Sequence, residues 1–199
     1  MSKKTVVSQL AGIHDFLHEI EGLKKLLRHS WLSDGRQESV AEHTWRMAIM
    51  AIVLYRDLDF KVEIGKVLKM ALVHDLAEVY AGDFHAFKDV PLDKHAKELL
   101  SLQTLTKKLP EAVAVELVEL WEEFERRETM EAKFAVALDK LEVLIQHNEA
   151  EISTWDEKEY DFNYYYAFDK VDFSEILTIF RDLVLEETIK KIDKEVDEI

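Results

Sequence analysis

Five glycines and two prolines are all that punctuate this chain of 199 residues, and that scarcity is the strongest constraint on what it folds into. Tight turns draw on glycine and proline, so a chain this poor in both cannot make the many reversals of a sheet-rich fold. The sequence therefore predicts an all-α protein, one compact bundle of about seven to eight helices joined by short loops. Its length buries a substantial core without disulfides or other staples, so residues 1–199 are read as a single domain. The stretch 155–199 is its least defined part, a C-terminal extension.

Apolar periodicity places the helices. Val6, Val7, Leu10, Ile13, Phe16, Leu17 and Ile20 form one stripe, closed by Gly22. Residues 23–37 carry Lys24, Lys25, Arg28 and Arg36, the densest positive run, and read as a short helix followed by a loop. Ser39 and Glu42 have capping-box spacing, which predicts a helix from there to about residue 58. A third helix is expected over 62–80, closed by Gly82 and Asp83, and an irregular loop over 84–91. Further helices are expected over 93–108, from Pro110 to about 127, and over 129–154. Residues 155–171, rich in Tyr and Phe, read as a loop or partial helix. Asp172 and Glu175 are placed to cap a last helix reaching 196.

Composition narrows the chemistry. Forty-eight per cent apolar and 34 per cent charged residues suit a soluble globular protein. The absence of cysteine removes disulfides, thiolate metal sites and cysteine nucleophiles, and makes a reducing cytoplasm the natural setting. No export signal is read at the N-terminus, and the longest apolar run, over 47–55, is too short to span a membrane. A formal charge of −15 argues against nucleic acid or anionic membrane as partner, since those surfaces require a basic stripe. An anionic substrate must then be captured locally.

One stretch breaks the pattern. In KVLKMALVHDLAEVYAGD, His74 and Asp75 interrupt an apolar helical run, and an inward carboxylate is costly unless paired, hydrogen-bonded or bound to a cation. On a helix His74 lies beside Glu78, one turn on. His43 and Asp139 likewise sit on or beside apolar helix faces. Two imidazoles and two carboxylates suit one divalent ion per chain, Mn, Co, Fe, Ni or Zn, and leave positions open for water and substrate.

The order His43, then His74-Asp75, then Asp139 resembles the H…HD…D signature of the HD-domain metal-dependent phosphohydrolases. The flanking text LKKLLRHSW, ESVAEHTWRMA, ALVHDLAEVYAGD and ALDKLE is similar to the 5′-deoxynucleotidase branch, and the resemblance covers residues 23–149. It implies that His43, His74, Asp75 and Asp139 bind the metal, that Glu78 is a catalytic carboxylate and that Arg28 orients the substrate phosphate. By the same resemblance Asp83 matches a substrate-contacting position, implying contact with a sugar hydroxyl. It also implies a homodimer, with 155–199 as its variable surface. The chemistry agrees: a divalent ion activates water, Glu78 handles a proton, and Arg28 offers a forked, permanently charged donor set.

The pattern departs from that branch in two places. His29 stands where a tryptophan follows the arginine, and Phe84, His85 and Ala86 replace a Leu-Pro-Thr-Pro type of segment; both places are expected to touch the sugar or base. Arg36 is either a second phosphate contact or a loop salt bridge, Glu42 a cap, and His147 of interest for lying on the helix of Asp139. The reading is a hydrolase of nucleoside 5′-monophosphates, most simply 2′-deoxy ones. The alternatives are an HD-type hydrolase of a nucleoside triphosphate, cyclic nucleotide or non-nucleotide ester, and a nucleotide sensor without turnover.

Overall fold

A computed structural model of the chain describes residues 2–83 and 92–197. Eight helices of nine residues or more carry the described chain: α1 (Lys3–Glu19), α3 (Val40–Leu54), α4 (Ile64–Val73), α6 (Lys94–Thr106), α7 (Glu111–Arg126), α8 (Met130–Glu149), α9 (Glu157–Tyr165) and α11 (Glu175–Asp197). Three single turns, α2 (Gly22–Lys25), α5 (Glu78–Ala81) and α10 (Phe168–Val171), join them. The all-α class is therefore the observed one. Among the described residues no helix is long and apolar enough to cross a membrane.

The bundle is built around α8. Its Phe134, Leu138, Leu141 and Leu144 are essentially sealed from solvent, and it packs against α3, α4, α7 and α11. Each such side chain contributes about 2 kcal/mol by leaving water, so this stripe alone anchors the centre. Thr129 caps α8 by accepting from the Ala132 amide at 3.2 Å. At α3 the capping box forms as the spacing predicts: Ser39 Oγ accepts from the Glu42 amide at 3.3 Å, and Glu42 accepts from the Ser39 amide at 2.9 Å.

Three expectations are corrected. After α2 the chain runs into a strand pair, β1 (Leu27–Trp31) and β2 (Gln37–Ser39), antiparallel with Leu27 opposite Ser39 and Trp31 opposite Gln37. The reversal uses Gly35 at φ 84°, and Asp34 accepts from the Arg36 amide at 3.2 Å. The third helix is not continuous: α4 stops at Val73, and the chain passes residues 74–77 in a tightened turn before α5. There the Leu76 and Glu78 amides reach back three residues, to Val73 and Asp75, at 3.0 Å each. Finally, α11 is capped from Ser174, whose Oγ accepts from Leu177 at 3.3 Å, and from Asp59, which accepts from the Glu175 amide at 3.1 Å. Asp172 is the C-cap of α10 instead.

Residues 155–171 form α9 and α10 with Trp155 folded inward, its indole donating to the His147 carbonyl at 3.1 Å. The α1 stripe is mostly unburied: Phe16 is covered, whereas Val6, Val7, Leu10 and Leu17 are exposed.

Candidate active site

Four elements converge on one cleft. The strand β1 brings Arg28 and His29, α3 brings His43, the turn between α4 and α5 brings His74 and Asp75 with Glu78 at the start of α5 just beyond it, and α8 brings Asp139. Arg28, His29, His74, Asp75, Glu78, Asp83 and Asp139 all line a cavity of about 210 Å³, and His43 is buried against its wall. The ring centroids of His43 and His74 are 5.8 Å apart, and donor atoms of His43, His74 and Asp75 lie within 4.8 Å of one another. Asp139 joins this group through His43, with Oδ1 3.2 Å from Nε2.

The hydrogen bonds decide which nitrogen of each ring faces the cleft. His43 Nδ1 donates to Glu142 Oε2, and His74 Nδ1 donates to the Ala71 carbonyl at 2.9 Å. Both partners are acceptors, so Nδ1 of each ring is the donor and Nε2 is turned inward, where a metal ion can take the place of a proton. Those two Nε2 atoms and Asp75 Oδ2 are buried without a hydrogen-bond partner. His43 Nε2 faces Asp139 Oδ1, and His74 Nε2 faces Asp75 Oδ1, each at 3.2 Å. Lone pairs aimed at carboxylate oxygens call for a cation, and imidazole with carboxylate fits a borderline divalent metal. Burial and Arg28 oppose charge on His43, yet Glu142 and Asp139 outweigh them and hold its pKa up at about 9. That is the demand of this acceptor cluster for positive charge.

Arg28 is only 14% exposed at its side chain, and its contacts, Nε to Glu38 at 3.5 Å and Nη1 to Asp75 at 3.6 Å, are longer than good hydrogen bonds. Burial opposes its charge, but Asp75 and Asp83 more than restore it. Glu78 is buried with Oε2 unpartnered, and burial together with Asp75 and Asp83 pushes its carboxyl up to about 10. His29 faces Glu159 Oε1 at 3.3 Å and Asp156 Oδ2 at 3.6 Å, and His147 lines the same end of the cleft. Phe84, His85 and Ala86 lie outside the described residues. Arg36 is away from the cleft and bonds Glu42 at 2.6 and 3.0 Å, so of its two readings the loop salt bridge is the observed one.

Beneath His43 lies a polar network absent from the sequence reading. Arg46 donates to Glu142 at 2.7 Å and to Glu149 at 2.5 Å, and Gln146 donates to the Trp31 carbonyl at 2.6 Å. Burial would raise Glu142, but His43 and Arg46 outweigh it and hold it down at about 2. Glu142 is thus an ionised acceptor fixing the His43 tautomer. The cue was the ALDKLE motif, in which Glu142 follows Asp139 by one turn.

The HD domain family model matches residues 20–180. The chain belongs to the HD-domain family, and among solved structures it is similar to one of the metal-dependent phosphohydrolase type. That crystal structure, of a predicted metal-dependent phosphohydrolase from Magnetospirillum magnetotacticum, is 34% identical with a TM-score of 0.79, covering 92% of this chain and 94% of its own. More narrowly, the chain is similar to the 5′-deoxynucleotidase HDDC2 of Mus musculus, 38% identical over 144 residues and 71% of each chain. The Bos taurus 5′-deoxynucleotidase HDDC2 is 40% identical over 159 residues and 76% of each. A divalent metal accords with the family, and the donor atoms here fit one.

Proposed function

We propose that the chain is a metal-dependent phosphomonoesterase that releases inorganic phosphate from nucleoside 5′-monophosphates, the 2′-deoxy series by preference. The observation that carries the reading is the pair of buried, inward Nε2 atoms on His43 and His74 without hydrogen-bond partners, beside Asp75 and Asp139, in a cleft that also holds Arg28. The similarity to 5′-deoxynucleotidases supports the substrate class.

In this reading His43, His74, Asp75 and Asp139 hold one divalent ion, Mn, Co, Fe, Ni or Zn. When bound, the ion supplies Lewis acidity toward water and toward a phosphoryl oxygen. Arg28 receives the phosphate with its fork and fixes its orientation. Water adds to phosphorus, the bond from phosphorus to O5′ breaks, and the leaving oxygen needs a proton. Glu78, whose carboxyl is pushed up to about 10 by burial, Asp75 and Asp83, gives it and is reprotonated by the proton that the attacking water loses. Asp83 contacts a sugar hydroxyl, and His29, next to Arg28 on β1, borders the sugar. Phe84, His85 and Ala86 are assigned to the sugar or base side. The reading also includes a homodimer, supported by an uncovered apolar face on α3 formed by Trp45, Ile49, Ile52 and Val53.

Asp139→Ala tests the ligand set. Metal content, read by elemental analysis, and phosphate release should be lost together; a purified variant with full activity contradicts the assignment.

A further inference from the structure

We propose that Lys140 is a second cationic contact for the phosphoryl group of the substrate, acting alongside Arg28. The proposal rests on the phosphomonoesterase reading and adds to it a residue that neither the HD signature nor the metal geometry assigns. Lys140 follows Asp139 in the ALDKLE motif, where sequence alone gives it no role.

One face of α8 lines the cleft: Val136, Asp139, Lys140, Val143 and His147, at the spacing of a single helical surface. On that face the Asp139 carboxylate is divided. Its Oδ1 lies 3.2 Å from His43 Nε2, on the metal-donor side, and its Oδ2 lies 2.8 Å from Lys140 Nζ. The ammonium is therefore one carboxylate away from the proposed ion, where a phosphoryl oxygen bound beside Asp139 falls within its reach.

Burial makes the position informative. The Lys140 side chain is 28% exposed, and removing an ammonium from water is costly unless its hydrogens are used. It has three donors, and Asp139 Oδ2 lies 2.8 Å from the nitrogen that carries them. Its ammonium lies 6.0 Å from the Tyr166 ring centroid, so the phenol and Asp139 hold it at the cleft wall. Lys140 lines the cleft, so a donor not engaged by Asp139 is open to a bound anion. Arg28, Lys94, Arg127 and Lys140 line the cleft together with Asp75, Asp83, Glu98, Glu125 and Glu159. Of these cations Lys94 is drawn to Glu98 at 3.3 Å, whereas Arg28 and Lys140 stand beside the proposed metal-binding carboxylates, at 3.6 Å from Asp75 and 2.8 Å from Asp139, where a phosphate dianion in an acidic chain is best held.

The alternative is that Lys140 only neutralises Asp139 and so acts through the metal ligand. The experiment separates the two with Lys140→Met, Lys140→Gln and Lys140→Arg in the full chain loaded with Co(II). Thermal melting checks folding, elemental analysis reads metal content, and calorimetry reads binding of inorganic phosphate. In the neutral variants phosphate affinity should weaken by about tenfold to a hundredfold, the size of a charge-assisted hydrogen bond. Metal content should stay at the wild-type level, kcat/KM should fall in parallel, and Lys140→Arg should recover most of the affinity. Lys140→Gln serves if Lys140→Met does not fold. Unchanged phosphate affinity, or a loss that occurs only with loss of metal, overturns the proposal. A wild-type protein that is indifferent to phosphate and to every nucleoside monophosphate overturns the phosphomonoesterase reading, and Lys140 with it. An active wild type with indifferent Lys140 variants overturns Lys140 alone.

Discussion

His43 has both ring nitrogens committed by its surroundings: Nδ1 to Glu142, Nε2 to the cleft. Nothing local in the sequence reports this, because His43 and Glu142 meet across 99 positions. Asp139, His74 and Asp75 were legible as polar interruptions of apolar helix faces. Glu142 was not, since a glutamate one turn along a charged helix looks the same whether solvated or buried. Glu42 was legible as a cap, and its pairing with Arg36 adds a pH signature. The Arg36 hydrogen bonds hold its carboxyl down at about 2, below the usual 4.5, against the opposing effect of burial and with further help from Ser39. A group depressed in the folded state contributes stability that is full above its unfolded value and lost as pH falls through the folded one. The pair is well exposed, so solvent screening keeps the contribution small. The Tm difference between wild type and Glu42→Gln should be largest above pH 4.5 and vanish toward pH 2. A difference that does not vary with pH contradicts the ion pair.

At the scale of elements, the long helices were legible because their apolar residues recur at helical spacing. The hairpin of β1 and β2 was not, because its strands are short and polar and owe their pairing to the α3 start and to Gly35. The break at residues 74–77 was hidden by an unbroken helical pattern. A local signal for α9 did exist: Asp156 and Glu159 form a capping box, with Glu159 accepting from the Asp156 amide at 2.7 Å. It was overshadowed by the aromatic run. The Asp59 contribution to the α11 cap joins residues 115 and 116 positions apart and has no local signature. Docking of α1 depends on Gly12, where a Cβ would stand 2.1 Å from the Lys108 carbonyl oxygen. In an open helix Gly→Ala stabilises by about 1 kcal/mol. Here Gly12→Ala should lower Tm, by about 1 to 3 kcal/mol of overpacking, because backbone and not a flexible side-chain end must give way. A rise in Tm contradicts the close approach.

The whole molecule combines an acidic composition with an apolar face on α3 that the described residues leave open. Trp45 is 63% exposed and Val53 61%, on the same side of α3 as Ile49 and Ile52. Such a patch suits the proposed two-fold partner. Sedimentation should give a dimer for the wild type and a monomer for Trp45→Arg combined with Val53→Asp; a dimer that survives both changes places the interface elsewhere. The net charge of −15 has its own consequence. Anion capture must depend on the metal and on a few buried cations, so function resides in the cleft and not in the overall field. The most direct test is phosphate release from matched deoxyribo- and ribonucleoside 5′-monophosphates, using chelator-stripped protein reconstituted separately with Mn, Co, Ni, Zn and Mg. Metal-dependent release of inorganic phosphate, faster on the deoxy series, is the expected result. Silence with every metal on both series contradicts the account.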